Sequence, residues 1–155
     1  MHIVIVDTTL TTPPTGGAHT FLVNVCASLV AKAHRVSVVG EPGRDATIPT
    51  ALQRVGTDVL MNLWSRRHLP EAQASRLAAW VNRERPDVYI VSISPAVGWL
   101  ALPLLDPGIA TMSLAHLDNP TFYQPLTYYR DFIDCAVGVS SRIYQELIST
   151  CNVAK

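Results

Sequence analysis

Apolar residues come along this chain in short continuous runs, and between those runs they recur at helical spacing. His2 to Asp7 reads H-I-V-I-V-D, which suits a strand buried on both faces of a parallel sheet. Thr8 to Gly17 is a long loop that closes on two glycines. Phe21, Leu22, Val25, Cys26, Leu29 and Val30 then fall at i, i+1, i+4, i+5, i+8 and i+9, a wide apolar stripe. The spacing predicts a helix over 18–33, with Thr20, Asn24 and Lys32 on its other side.

The same alternation continues. Arg35 to Gly40 (R-V-S-V-V-G) reads as a second strand, and 41–45 is turn chemistry. Pro49 in a first turn predicts a short helix to Arg54, stopped by Gly56. Asp58 to Leu63 reads as a third strand. Pro70 opens a helix to about Arg85 with Ala74, Leu77, Ala78 and Val81 inward, and Pro86 stops it. Asp87 to Ser92 is a fourth strand, 96–105 a helix, and Ile109 to Ala115 a fifth strand. An aromatic helix is expected over 121–132, a sixth strand over 135–139, and a helix capped by Ser140 running to about Thr150. That last helix turns Ile143, Leu147 and Ile148 inward.

Strand and helix alternate throughout, with no repeat and no low-complexity tract. The expected fold class is α/β, a Rossmann-like doubly wound parallel sheet with right-handed crossovers. The first strand belongs in the centre, with the second and third on one side and the fourth to sixth on the other. Length agrees, since 155 residues is one domain's worth of chain. The residues are 48% apolar and 15% charged, which argues against disorder. Twelve basic and twelve acidic residues balance, so no broad nucleic-acid surface is expected. Cys26, Cys135 and Cys151 are far apart with no C-x-x-C, which reads as buried reduced thiols and a cytoplasmic compartment. The N-terminus lacks signal-peptide order, and no apolar run is long enough to span a bilayer.

Candidate chemistry gathers where strands end, because open α/β sheets bind ligands at that edge. Gly16 and Gly17 can be an ordinary turn, the commoner reading of two glycines. They can also let a diphosphate approach bare backbone at a helix N-terminus. Neither G-x-G-x-x-G nor G-K-[ST] is present, so ordinary NAD and ATP readings lose their support. His116 follows the fifth strand on the same edge, where it would serve a ligand or simply be satisfied within the loop. Ser94 follows the fourth strand. Asp118 and Asn119 are turn residues before Pro120 on spacing alone, or hydroxyl-binding groups. Phe122, Tyr123, Tyr128, Tyr129 and Phe132 mostly read as core, with Tyr123 the best candidate to meet a sugar or lipid. Arg66, Arg67 and His68 read as a solvated loop, with an anionic membrane surface or a phosphate as the alternative. No set of side chains has metal-ligand spacing. No G-x-S-x-G surrounds Ser140, which reads as a cap.

Taken together, T-G-G-A-H-T-F-L-V-N-V-C-A-S-L-V-A-K-A-H-R-V-S-V-V, R-P-D-V-Y-I-V, Ala115-His116 and C-A-V-G-V-S-S-R-I-Y-Q-E-L resemble the N-terminal half of family-four retaining glycosyltransferases. The resemblance covers nearly the whole chain. Ala33 stands where the family usually has glycine, and Cys135 where it usually has aspartate. The resemblance implies one half of a GT-B architecture: an acceptor-side domain whose partner half, absent here, holds the nucleotide sugar with a basic pair and an E-x(7)-E motif. It implies that Gly16 and Gly17 approach the donor diphosphate. It places His116 at the reacting centre and Ser94, Asp118, Asn119 and Tyr123 on the acceptor side. It implies a nucleotide-sugar donor, a sugar, lipid or small-molecule acceptor, no metal and no other cofactor. It further implies a domain inactive alone and prone to self-association through the face meant for its partner. From the residues alone, a non-catalytic Rossmann-like binding or assembly domain remains the alternative.

Overall fold

β1 (His2–Val6) lies inside a six-stranded sheet in which every neighbouring pair is parallel. The computed structural model describes residues 1–11, 17–41, 43, 45–65, 67–93 and 96–151. After β1 come α1 (Gly17–Ala31), β2 (Arg35–Val39), α2 (Thr47–Arg54), β3 (Asp58–Leu60), α3 (Pro70–Glu84) and β4 (Val88–Val91). The chain continues through α4 (Val97–Ala101), β5 (Ala110–Ala115), α5 (Pro120–Tyr128), β6 (Cys135–Gly138) and α6 (Ser141–Cys151). The strand order is β3-β2-β1-β4-β5-β6, as the apolar pattern predicts. The direction of winding reverses between β1 and β4, and that gap is the switch point at which such sheets take ligands.

β1 is buried on both faces because its side chains alternate between two cores. Ile3 and Ile5 join Leu22, Cys26, Val36, Val38, Ile48 and Leu52 beneath α1 and α2. Val4 and Val6 join Leu77, Val81, Tyr89, Trp99, Ile143 and Leu147 beneath α3, α4 and α6. Ile5 stands level with Val38 on one neighbour and Ile90 on the other, at 0% exposure. Among the described residues, no helix is long and apolar enough to cross a membrane.

Several elements end earlier than the pattern predicts. β3 stops at Leu60, because β2 offers it only Ser37 to Val39 as partners. The helix expected over 96–105 breaks into α4 and a 3-10 turn, Leu102–Leu104, since Pro103 has no N–H to continue the ladder. The helix expected over 121–132 ends at Tyr128, and a 3-10 turn, Arg130–Phe132, follows. That turn brings Asp134 beside β5, where its Oδ2 accepts from Thr111 N at 2.7 Å and Thr111 Oγ1 at 3.0 Å. Cys135 is exposed on the edge strand, against the expectation of a buried thiol, whereas Cys26 and Cys151 are buried; all three are free.

α1 closes without the usual glycine. His34 N donates to Leu29 O at 3.1 Å and Ala33 N to Val30 O at 2.9 Å. This pair of bonds is the Schellman closure, and it needs a left-handed residue that is usually glycine. Ala33 supplies it with φ 60°. A Cβ in that conformation is strained, and glycine's extra freedom in the unfolded chain offsets only part of the gain from removing it. Ala33→Gly is therefore expected to stabilise the domain by about 1 kcal/mol, a rise in Tm of roughly 2–4 °C on calorimetry.

Candidate functional site

The first polar residues past the two strands at the switch point are Asp7 and Ser92. Main-chain bonds hold their loops together: Ser92 N donates to Val6 O at 3.0 Å and Thr8 N to Ile93 O at 2.7 Å. Both side chains are buried, Asp7 at 1% exposure and Ser92 at 2%. A buried carboxylate must be met by donors. Asp7 Oδ2 accepts from Ser92 Oγ at 3.1 Å, and its Oδ1 accepts from Thr9 N at 3.0 Å and Thr9 Oγ1 at 2.7 Å.

A histidine lies behind each hydroxyl. His116 Nε2 is 3.0 Å from Ser92 Oγ, and His19 Nε2 is 3.0 Å from Thr9 Oγ1. His19, on the first turn of α1, is buried, and its Nδ1 has no hydrogen-bond partner among the described residues. His116 is half-buried where β5 ends. Phe21, one turn along α1 from Gly17, meets the His116 ring edge-on at 5.3 Å between centroids. The N-terminal turn of α1 and the His116 loop thus share one edge of the sheet. An added Cβ at Gly17 would meet nothing within 4 Å, so packing within the described residues does not demand glycine there. Gly16 and Ser94 lie outside the described residues, as do Arg66 and the side chain of Phe122.

Asp118 and Tyr123 belong to a second constellation. Tyr123 is buried, and its hydroxyl donates to Asp118 Oδ1 at 3.0 Å. Arg142 Nε approaches Asp118 Oδ2 at 2.6 Å, though the Arg142 side chain is largely exposed. Burial and the neighbouring carboxylate push the Tyr123 phenol up to about 12, so it keeps its proton. Asp118, Tyr123, Gln124, Thr127, Tyr128 and Glu146 line a cleft of about 660 Å³ between α5 and α6. Neither His116 nor Gly17 lines it, so the edge-on histidine and the α5 cleft are separate features. Tyr128 is the exposed aromatic of that cleft, at 80%, against 6% for Tyr123. Asn119 is exposed, with its backbone N–H on Leu117 O at 3.0 Å, as a turn residue's would be. Ser140 Oγ accepts from Ile143 N at 3.3 Å and caps α6. His68 Nδ1 accepts from Ser65 N at 3.3 Å, a bond that holds its own loop. Among the described residues, no group of three His, Cys, Asp or Glu side chains could hold a metal ion.

Burial lowers the His116 pKa from 6.5, and the Asp7 charge only partly opposes it. His2 is lowered too, by burial and then by Arg35. Below 6.5 the unfolded chain therefore takes up protons more readily than the folded one. The stability these rings contribute is complete above that value and is lost as pH falls through their lower folded values. Melting temperatures recorded from about pH 8 to about pH 5 should fall on the acid side, and His116→Gln should flatten part of that fall.

Comparison with known proteins adds the family. The family model described as Glycosyltransferase Family 4 matches residues 15–155. The chain belongs to this family. Among solved structures, a glycosyltransferase from Rickettsia africae ESF-5 superposes with a TM-score of 0.68 at 16% identity, covering 99% of this chain and 40% of that one. A putative UDP-N-acetylglucosamine 2-epimerase from Listeria monocytogenes gives a TM-score of 0.68 at 9% identity, covering 96% of this chain and 42% of that one. A protein of unknown function from Vibrio parahaemolyticus gives 0.55 at 13% identity, covering 90% and 93%. No curated protein sequence matches. This family-4 chain therefore spans about two fifths of the first two neighbours, and its Rossmann-like sheet is the fold of one half of a GT-B glycosyltransferase.

The residues that sequence reasoning passed over in this family-4 domain are Asp7, Thr9, Ser92, His19 and Phe21. Asp7 and Ser92 each close an apolar strand run at the sheet's carboxyl edge, a position that on its own does not tell a strand end from a site residue.

Proposed function

We propose that this family-4 chain is the acceptor-side domain of a retaining glycosyltransferase, which moves a sugar from a nucleotide-sugar donor to an acceptor hydroxyl. Support comes from one observation. The hydrogen-bonded chain from buried Asp7 and Ser92 to half-buried His116 stands at the switch point, beside the N-terminal turn of α1, where a ligand would lie. His116 then faces the transferred sugar or the acceptor near the reacting centre. Gly16 and Gly17 leave backbone open to the donor diphosphate, whose charge a helix N-terminus favours. Ser94, Asp118, Asn119 and Tyr123 belong to the acceptor side, with the α5 cleft offering apolar and hydroxyl contacts. The leaving diphosphate is stabilised by a basic pair in a second half, and no metal takes part. No enzymic nucleophile is assigned.

Glycosyl transfer needs the anomeric carbon and the acceptor hydroxyl held together, which supplies roughly 7–11 kcal/mol of barrier lowering. One wall of a cleft cannot do this. The test is an assay with UDP-, GDP- and ADP-sugars on this chain alone and on a longer chain carrying a second domain, with calorimetric titration alongside. The longer chain is expected to transfer sugar and to keep its activity in EDTA. The shorter is expected to be silent. Micromolar donor binding or turnover by the short chain would overturn the two-half reading. A non-catalytic binding or assembly domain is the second reading; a fold of this kind makes up most of the Vibrio neighbour, of which this chain covers 93%. Turnover by the longer chain would exclude it.

A further inference from the structure

The atoms behind His116 decide which proton its ring carries. Ser92 Oγ has one proton, and it goes to Asp7 Oδ2. The same oxygen lies 3.0 Å from His116 Nε2, and only a lone pair remains for that contact. Nε2 must therefore carry hydrogen and donate. In the neutral ring, Nδ1 is then bare. Nδ1 has no hydrogen-bond partner among the described residues.

The alternative arrangement fails. If His116 were the other tautomer, Ser92 would have to give its proton to Nε2. Asp7 Oδ2 would then face an oxygen lone pair at 3.1 Å, in a site with almost no access to water. An unmet buried carboxylate oxygen is costly. The opposite oxygen repeats the pattern. Thr9 Oγ1 gives its proton to Asp7 Oδ1 and accepts from His19 Nε2. One carboxylate thus orders two hydroxyl protons, and through them two imidazoles.

We propose that Asp7 and Ser92 are positioning residues that hold His116 as its Nε2–H tautomer, so that Nδ1 accepts a hydrogen bond from a ligand hydroxyl. The ligand class rests on the glycosyltransferase reading above; the tautomer does not. A neutral ring held this way has nothing to donate to a phosphate oxygen. It meets a sugar or acceptor hydroxyl instead and leaves the diphosphate to backbone N–H groups.

The test reads the ring directly. Long-range nitrogen–proton NMR on the labelled chain, with no sugar added and above the titration of the ring, distinguishes the two tautomers. His116 and His19 are both expected as Nε2–H. Ser92→Ala should turn His116 into a mixture, Ser92→Thr should restore the single form, and His19 should stay unchanged in both. A wild-type His116 carrying hydrogen on Nδ1 would overturn the proposal, even if every variant failed to fold. So would a folded Ser92→Ala whose ring is unaltered. In a longer, active chain, Ser92→Ala should lower kcat/KM roughly three- to tenfold, the worth of one neutral hydrogen bond. It should also move the acid limb of the pH profile down, because the imidazolium loses its link to Asp7. Absence of transferase activity in the longer chain would remove the hydroxyl ligand and leave the tautomer assignment standing, so the two failures are distinguishable.

Discussion

Ile5→Ala is expected to destabilise the domain by roughly 2–5 kcal/mol, a large part of the roughly 5–15 kcal/mol that holds a domain of this kind. Ile5 has no exposed surface and lies between β2 and β4, level with Val38 and Ile90. Leu22 and Cys26 on α1 share its core cluster, and α1 is closed at its C-terminus by the Schellman bonds, so the layer cannot collapse fully into the space. Urea denaturation checks this: the midpoint should drop with little change in slope. A drop under about 1 kcal/mol would mean that the site repacks, and the central strand would be a less rigid spine than its burial implies.

Gly17→Val in the longer, active enzyme is expected to cut kcat/KM by about a hundredfold, while Tm stays nearly fixed. Among the described residues nothing stands within 4 Å of an added Cβ, and Gly17 is not among the glycines with positive φ. Valine also suits a helix better than glycine, so the folded chain has little to lose. Bulk at this point would instead push away a diphosphate seated on the helix N-terminus, and a displacement of about 1 Å can cost of the order of a hundredfold. Gly17→Ala should give an intermediate loss. If both variants kept full activity, the glycine would be an ordinary turn residue. If both lost activity and melting temperature together, the defect would be structural.

The sheet was readable because its strands are unbroken apolar runs and its helices carry wide stripes. Those patterns alone place His2–Val6 inside and order its neighbours. What escaped depends on partners distant in sequence. β3 is short because β2 runs out of paired residues, and the 3-10 turn after α5 brings Asp134 to Thr111, 23 positions away. Cys135 begins an edge strand, and an apolar run does not say which strand is the edge. At the site, His116 stood out as a histidine after a strand. Asp7 and Ser92 did not, because one polar residue closing an apolar run looks the same whether it ends a strand or wires a neighbour. Their link spans 85 positions of sequence and exists only once β1 and β4 lie side by side. Tyr123 and Asp118 lie close to His116 in the chain, yet the fold turns them toward α6.

The two cores beneath the sheet differ in kind. The layer under α1 and α2 is built on aliphatic side chains, with Phe21 at its margin. All three tryptophans, Trp64, Trp80 and Trp99, lie in the other layer, along with Tyr89. Intrinsic tryptophan emission from this chain therefore reports on one side of the sheet alone. A melt followed by that light tracks the loosening of α3 and α4 and is blind to α1, whereas far-ultraviolet circular dichroism counts every helix. Coincident curves would mean that both layers come apart in one step. A gap between them would mean that the layer carrying α1 yields in the dark, before or after its brighter partner.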